Sequence, residues 1–539
     1  MDINSFRAFD VVIAILIMHN NNKDNYNICN EYMVVENTDT NNHLYSTSHQ
    51  QSSLINSFIS KAEQFMKNTE QHALQGVNPG GIYQAIWSRD ASFILRSWFH
   101  SGNIHGVLQQ LSIIWSHQIE LGKEKIIYGR GSPEMNYKPT VAKEDKQEMF
   151  KGALPTTIYQ AGYSEVYGLN PDIDSTALMI NTTSWILAKI LKEKSRSSSQ
   201  ESPSSSSSSK MTYSSSTYNN KNSNNISEAK LMTNHLKVIN FVVPCMLKAV
   251  DHLLSRDTDN DGLLEQNHNE DWMDTGLRAG KIVYSQACVI LALNNLSYLL
   301  SELGKHDEAE KIMKIASKTI SAVEQKLWSE DAGCYIDIQQ SHHIGGPYRT
   351  LTQDVSLYLV AISENTNSDS LRIHQNDNHD NVRIEKQQEH PLKQQKDFHP
   401  QKNLDALLKR ANSTLDAITQ RVWLDNWPTN VETLLKHTGP WHLKPYFYHN
   451  RTFWPWITGI EILAHSRFNR LNECDILLSK LSTDSKVHIL TFFEWVNPKT
   501  SEGGGAYPFR TGICTVRWAI DHIVNSIGHQ KSRKNNHIF

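Results

Sequence analysis

Apolar residues recur every three to four positions in ten stretches of the chain: LINSFISKAEQFMKN (54–68), IHGVLQQLSIIWSHQIEL (104–121), TALMINTTSWILAKIL (176–191), HLKVINFVVPCMLKAVDHLL (235–254), YSQACVILALNNLSYLLSELG (284–304), EAEKIMKIASKTISAVEQKL (308–327), QDVSLYLVAIS (353–363), LDALLKRANSTLDAITQRVW (404–423), ITGIEILAHSRFNR (457–470) and GICTVRWAIDHIVNSIG (512–528). That spacing predicts amphipathic helices, and the period-two alternation of strands is sparse. The expected class is all-α, with about a dozen helices joined by Gly-, Pro- and Trp-rich loops. Aromatic and acidic loops between helices suggest an (α/α)6 toroid, in which loops at one end form a site. A plain multi-helix solenoid has the same periodicity, and no internal repeat is visible.

Two polar tracts interrupt the pattern. Residues 194–228 are mostly Ser and Asn, and residues 364–402 are Asn, Gln, His, Asp and Lys with few apolar positions. Neither buries enough apolar surface to offset its chain entropy. They read as disordered surface insertions within one domain, because loop closure costs grow slowly with length. The expected organisation is a divergent extension over 1–48, a catalytic domain over 49–530 and a tail over 531–539.

Composition narrows the class. With 39 % apolar residues in 539, a large core is within reach, and a net charge of −3 argues against a nucleic-acid partner. Cys29, Cys245, Cys288, Cys334, Cys474 and Cys514 form no CxxC pair, which suits a reducing, cytoplasmic setting. VVIAILIM (11–18) is too short to span a bilayer, so no membrane partner is expected. Asp2 and Asp10 spoil a signal peptide there, leaving export by a non-standard signal as the alternative.

The candidate chemistry lies in the loops. PGGIYQAIWSRD (79–90) runs from a glycine turn to Trp87, Arg89 and Asp90. An adjacent Arg and Asp can fix vicinal hydroxyls of a sugar while Trp87 offers a flat apolar face. The plain alternative is an Arg–Asp pair at a helix start, where Asp90 favours the positive end. DTDNDGLLEQ (257–266) opens like a calcium loop with Asp257, Asp259 and Asp261, but His268 stands where the bidentate Glu belongs. No metal is expected, and the Asp side chains instead satisfy local backbone donors in a turn. A calcium ion on those three carboxylates is the alternative.

NEDWMDTGLR (269–278) follows, with Glu270, Asp271 and Asp274 crowded around Trp272. A carboxyl pressed against an indole loses hydration, which disfavours its charged form and lets it donate to a leaving oxygen. Asp271 and Asp274 share a face if the loop is helical, and Asp274 or Thr275 would then cap the helix that follows. GPYRTLTQDVSLYL (346–359) sets Arg349, Gln353 and Asp354 ahead of a helix. YHNRTFWPWITGIE (448–461) offers Trp454 and Trp456 as a stacking wall or as core. FFEWVNPKTSEGGGAYPFRTG (492–512) places Glu494 between Phe493 and Trp495. Two aromatic-flanked carboxyls, Asp274 and Glu494, match glycoside hydrolysis, in which one protonates the glycosidic oxygen and the other activates water on the opposite face.

WSRD, NEDWMDT with the following Arg278 and YSQA, WPW-x-TG and FEWVNP together resemble the amylo-α-1,6-glucosidase domain of glycogen-debranching enzymes, especially the archaeal-type branch. That family belongs to the six-hairpin (α/α)6 glycosidases, and the resemblance spans roughly 75–525 outside the polar tracts. It implies Asp274 as general acid, Glu494 as general base, and Trp87, Arg89 and Asp90 around the nonreducing glucose. It also implies inversion at the anomeric carbon and no metal. Further substrate contacts are expected among Asp271, Trp272, Arg278, Gln353, Asp354, Trp454, Trp456 and Trp495. Relative to that family, this sequence is expected to lack the glucanotransferase domain of eukaryotic debranching enzymes and the N-terminal β-sandwich of prokaryotic relatives, for which its first 50 residues leave no room. The expected substrate is a glucan or oligosaccharide, with α-1,6 branch stubs of glycogen-like glucan first. The alternatives are an α-glucosidase of the same fold acting on α-1,4 oligosaccharides or trehalose, and a catalytically silent carbohydrate-binding protein.

Overall fold

The computed structural model describes residues 40–120, 126–130, 140–141, 149–159, 162–168, 170–198, 224–276, 278–341, 346–365, 400–435, 438, 441–482, 484–485 and 488–536. The chain is mostly helical, its helices pack through long-range contacts, and no sheet closes on itself among these residues. The all-α expectation therefore holds. VVIAILIM and most of both polar tracts lie outside the described residues. The edges of the tracts belong to helices: Ile173–Ser198 and Ser356–Asn365 run into them, and Asn224–Leu254 and Pro400–Ala417 run out. Helix Thr40–Leu74 begins ahead of position 49, and Arg510–Asn536 covers much of the expected tail.

Two compact units are present. One holds Ala73–Ala322 with Thr438–Trp441; the other holds Val323–His437 and His442–Phe539 with the described residues before Ala73. In the first unit, Ile173–Ser198 packs against Val283–Glu302 and Ser88–His100, while Ile104–Ser116 packs against Asn224–Leu254. Val283–Glu302 is long and apolar enough to cross a bilayer, but 89 % of its apolar window is buried, so it is the unit's core helix. In the second unit, Pro455–Arg467 packs against Arg510–Asn536, Ser356–Asn365 and Leu471–Ser482. A Cβ on Gly459 would sit 2.8 Å from the Val516 nitrogen, so only glycine lets the first two helices approach this closely.

Helical hairpins recur in both units. Ser88–His100 turns into Ile104–Ser116 through 101–103, where the Asn103 side chain caps the second helix by accepting from the Gly106 N–H at 3.1 Å. Val283–Glu302 turns into His306–Lys326 at Gly304, whose φ of +76° is the left-handed helix stop that glycine favours. Pro455–Arg467 and Leu471–Ser482 form a third pair. Such pairs are what an (α/α)6 architecture is assembled from.

Each of the ten periodic stretches contains a helix among the described residues, but two helices escaped that pattern. Ser88–His100 opens with the polar SRD, and Leu471–Ser482 is short and half polar. A five-stranded sheet was also not expected. Its order is Ile86–Trp87, Thr157–Tyr159, Tyr163–Tyr167, Ile126–Arg130, Thr140–Val141. Strands of two to five residues are too short to display an alternation. This sheet pairs Trp87 with Thr157 and so fixes the start of the Ser88–His100 helix.

Candidate active site

The three acids of NEDWMD have three different environments. Glu270 is fully buried and accepts from Arg256 Nη2 at 2.6 Å, from the Asn267 N–H at 2.8 Å and from the Asn267 amide at 3.0 Å, with the Asn170 amide alongside. Burial pushes its carboxyl up, and Arg256 opposes the rise. Its carbonyl accepts from the Ile173 N–H at 2.9 Å, tying this loop to the start of the Ile173–Ser198 helix. Glu270 is thus an anchor.

Asp271 is 3 % exposed and has both oxygens engaged: Oδ2 by Arg278 at 3.2 Å and Gln266 at 2.8 Å, Oδ1 by the Met273 N–H at 2.9 Å. Gln266 and Gly280 exchange backbone hydrogen bonds of 3.0 and 2.8 Å across the base of the loop, and Ser285 holds the other end of the Gln266 amide. Asp274 is only half-buried, and the Asn269 amide donates to its backbone carbonyl at 2.7 Å. Trp272 is itself buried. The helical reading of this stretch is corrected here: 274–275 is a turn, Gly280–Lys281 is a strand, and the helix starts at Val283 after Ile282. Neither Asp274 nor Thr275 caps it. The ion pair and amide bonds to Gln266 close the loop before a helix can begin.

The same unit gathers Trp87, Arg89 and Asp90. Asp90 sits in the first turn of its helix, as expected of an acid near the positive end. Arg89 reaches Asp90 at 3.1 Å and Asp174 at 3.7 Å, with its guanidinium 5.9 Å from the centre of the Trp87 ring. Tyr83 and Tyr167 pack at 5.3 and 5.0 Å from that indole. Burial works against the Arg89 charge, but Asp90 and Asp174 outweigh it and hold the group firmly protonated. Asp174 also accepts from the Tyr284 hydroxyl at 3.1 Å, and the Arg278 guanidinium lies 6.0 Å from the Tyr284 ring. One polar chain therefore runs Asp90–Arg89–Asp174–Tyr284–Arg278–Asp271, with Tyr284 the neutral link between its two ion pairs.

Asp172, Asp174, Tyr284 and Gln266 were not foreseen as members. The acids of DIDSTA stand just ahead of the apolar stretch that begins at Thr176, and only their proximity to Arg89 reveals them. Burial lifts Asp172, with Asp174 adding to the rise and Arg89 opposing it. Burial also lifts Asp174, from an ordinary 3.8 to about 6, against Arg89 and with the help of Asp271. The folded chain therefore binds a proton that the unfolded chain has released. That contribution to stability is full below about pH 4 and is lost as pH rises through about 6. Asp174→Asn mimics the neutral form, so the variant's melting temperature should gain on the wild type between about pH 4 and 7. Melting curves across that range check it, and a constant difference contradicts it.

Glu494 lies in the second unit. It is 3 % exposed, and its Oε2 accepts from the Ala506 N–H at 2.7 Å. Gly505 has a φ of +75°, and a Cβ there would lie 2.2 Å from that oxygen, so glycine is required for the carboxylate to lie against this turn. Trp495–Val496 pairs with Gly503–Gly504. Phe453 and Val496 exchange backbone bonds of 3.0 and 2.8 Å, joining the Trp454 segment to the Glu494 segment. Trp454 and Trp456 are 3 % and 2 % exposed, and Trp454 donates to Thr452 at 2.9 Å. Gln353 and Asp354 also lie in the core of this unit. The Gln353 amide donates to Glu461 at 2.7 Å and Thr458 at 3.1 Å, and Asp354 accepts from Thr352 at 2.5 Å. Arg349 is exposed and lines an open cavity of about 480 Å³ with Asp331, Arg421 and Glu432.

The calcium-like loop does converge: one ligand atom each from Asp257, Asp259 and Asp261 lie within 4.8 Å of one another, so the cluster could hold a metal ion. The Lys281 ammonium binds two of these carboxylates, 2.7 Å from Asp259 and close to Asp261, with Glu265 at 3.2 Å. The Asp side chains also accept backbone N–H groups of Gly262 and Leu263 at 3.0 Å, as a turn requires.

No protein-family model matches the chain, and no curated protein matches it either. Among solved structures it is similar to an uncharacterized conserved protein from Thermus thermophilus, at 13 % identity over 84 % of this chain and 99 % of that one, with a TM-score of 0.49. It is similar to a GH63 mannosylglycerate hydrolase from Thermus thermophilus in complex with glucose, at 14 % identity over 85 % and 99 %, TM-score 0.48. It is also similar to a rhamnosidase from Klebsiella oxytoca with rhamnose bound, at 11 % identity over 70 % and 53 %, TM-score 0.38. Identity this low and superposition this loose assign no activity to the chain and no role to its residues.

Proposed function

We propose that the protein is an inverting glycoside hydrolase of the six-hairpin type, releasing glucose from α-1,6 branch stubs of a glycogen-like glucan. Asp274 is the general acid and Glu494 the general base. Asp274 gives its proton to the glycosidic oxygen as the bond from that oxygen to the anomeric carbon breaks. Glu494 takes a proton from the water whose oxygen bonds to the same carbon. Trp87, Arg89 and Asp90 grip the nonreducing glucose. The observation that carries the reading is the clamped NEDWMD loop: Glu270 and Asp271 are held by three or more donors each, and half-buried Asp274 follows them in the same loop. A clamped loop keeps a reacting carboxyl in one place. The pinned Glu494 carboxylate supports the second role in the same way.

The full-length protein is expected to release glucose from a branched limit dextrin and from isomaltose or panose faster than from maltose or trehalose. Proton NMR at early times should find β-glucose first, the inverted anomer. First-formed α-glucose contradicts inversion, and a preference for maltose or trehalose moves the activity to the related α-glucosidase reading.

A further inference from the structure

Two carboxylates hold Arg89, and they act on it differently. Its Nη2 donates to Asp90 Oδ2 at 3.1 Å, a hydrogen bond to the next residue of the same helix. Its Nη1 lies 3.7 Å from Asp174 Oδ2, beyond hydrogen-bond reach, so charge alone ties these two groups. A guanidinium on one hydrogen bond can pivot about it; the second carboxylate fixes its plane. The Arg89 side chain keeps 14 % of its surface open, 5.9 Å from the centre of the Trp87 ring, whereas Asp174 is fully buried. A ligand can therefore reach Arg89 but not Asp174.

Keeping Asp174 charged opposes folding, because burial disfavours the ionised form. Around it stand Arg89 and Asp90 from Ser88–His100, Tyr284 and Cys288 from Val283–Glu302, Asp271 and Arg278 from the NEDWMD loop, and Asp172 from its own segment. Two cations here face four carboxylates, Asp174 included. Tyr284 donates to Asp174 at 3.1 Å and keeps it in place whether or not it is charged. A group that lowers stability near neutral pH is tolerated where its charge is used.

We propose that Asp174 is the positioning residue for Arg89: its carboxylate fixes the guanidinium plane beside Trp87 in the orientation that grips the nonreducing sugar, without touching the sugar itself. The inference rests on the reading of Arg89 as that grip. A proton on Asp174 removes the tie, so sugar affinity falls as pH drops through about 6.

Asp174→Asn removes the charge and keeps the side-chain size, and it should not harm folding, since burial favours the neutral form. On the better of isomaltose and maltose at pH 7.5, it should raise KM about tenfold and leave kcat within about threefold, the mark of a lost ground-state contact. Added to Arg89→Ala, it should change KM no further, because it acts through Arg89. The wild type's KM should rise about tenfold between pH 7.5 and 5 while that of Asp174→Asn stays level. A wild-type KM in Asp174→Asn, or losses that multiply in the double variant, overturns the proposal. If the wild type cleaves neither disaccharide, the sugar-grip reading fails, and crystal structures of the wild type and Asp174→Asn at pH 7.5 decide the positioning alone. The Arg89 guanidinium must then leave its place beside Trp87 in the variant; an unmoved guanidinium overturns the proposal.

Discussion

Asp274→Asn and Glu494→Gln are each expected to lower turnover on an α-glucosidic oligosaccharide by about three orders of magnitude, in the middle of the range that a positioned acid or base supplies. Both substitutions keep side-chain size. In Glu494→Gln the new amide oxygen can still accept from the Ala506 N–H, so the turn over Gly505 survives. Circular dichroism and melting temperature should match the wild type. Glucosyl fluoride then tells the two roles apart. Fluoride leaves without a proton, so Asp274→Asn should regain much of its rate on that substrate. Glu494→Gln should stay slow on both, because water still needs its base. Near-wild-type rates in both variants end the assignment. Equal behaviour on fluoride and oligosaccharide means that the acid and base roles are wrongly divided.

The largest expected effect on stability is Arg278→Met. Arg278 and Asp271 are 2 % and 3 % exposed and 3.2 Å apart, so losing the guanidinium removes a positive charge from beside a buried carboxylate. Breaking one side of a buried pair costs about 3–5 kcal/mol. Asp271→Leu added to Arg278→Met should recover part of that loss, because no charge then remains to be solvated. Urea midpoints for the single and double variants measure both effects. A single-variant loss below about 1 kcal/mol would assign the pair to a solvated surface instead. Activity should fall with stability, since the same pair fixes the loop that carries Asp274.

Much of the helical scaffold was legible because burial on one face of a helix leaves a mark every three to four residues. Each of the ten periodic stretches contains a helix among the described residues. The polar opening of Ser88–His100 hid that helix, and the short strands beside Trp87 left no alternation to read. In the candidate site, WSRD and NEDWMD were visible as clusters because their members are neighbours in sequence. Asp172, Asp174 and Tyr284 were not, because they meet Arg89 and one another only through helix packing.

Sequence by itself determined the helical class, the acidic and aromatic composition of the loops, and the glycines that let Glu494 lie against its turn. These are local properties, carried by residue type and spacing. Tertiary structure alone decided which acid of NEDWMD is anchored, which is ion-paired and which is left half-buried. Those roles depend on how Arg256, Arg278 and Gln266, which flank the motif in sequence, fold back onto its acids. A carboxylate's environment is set by what surrounds it in space, and neighbours in sequence supply only part of that shell.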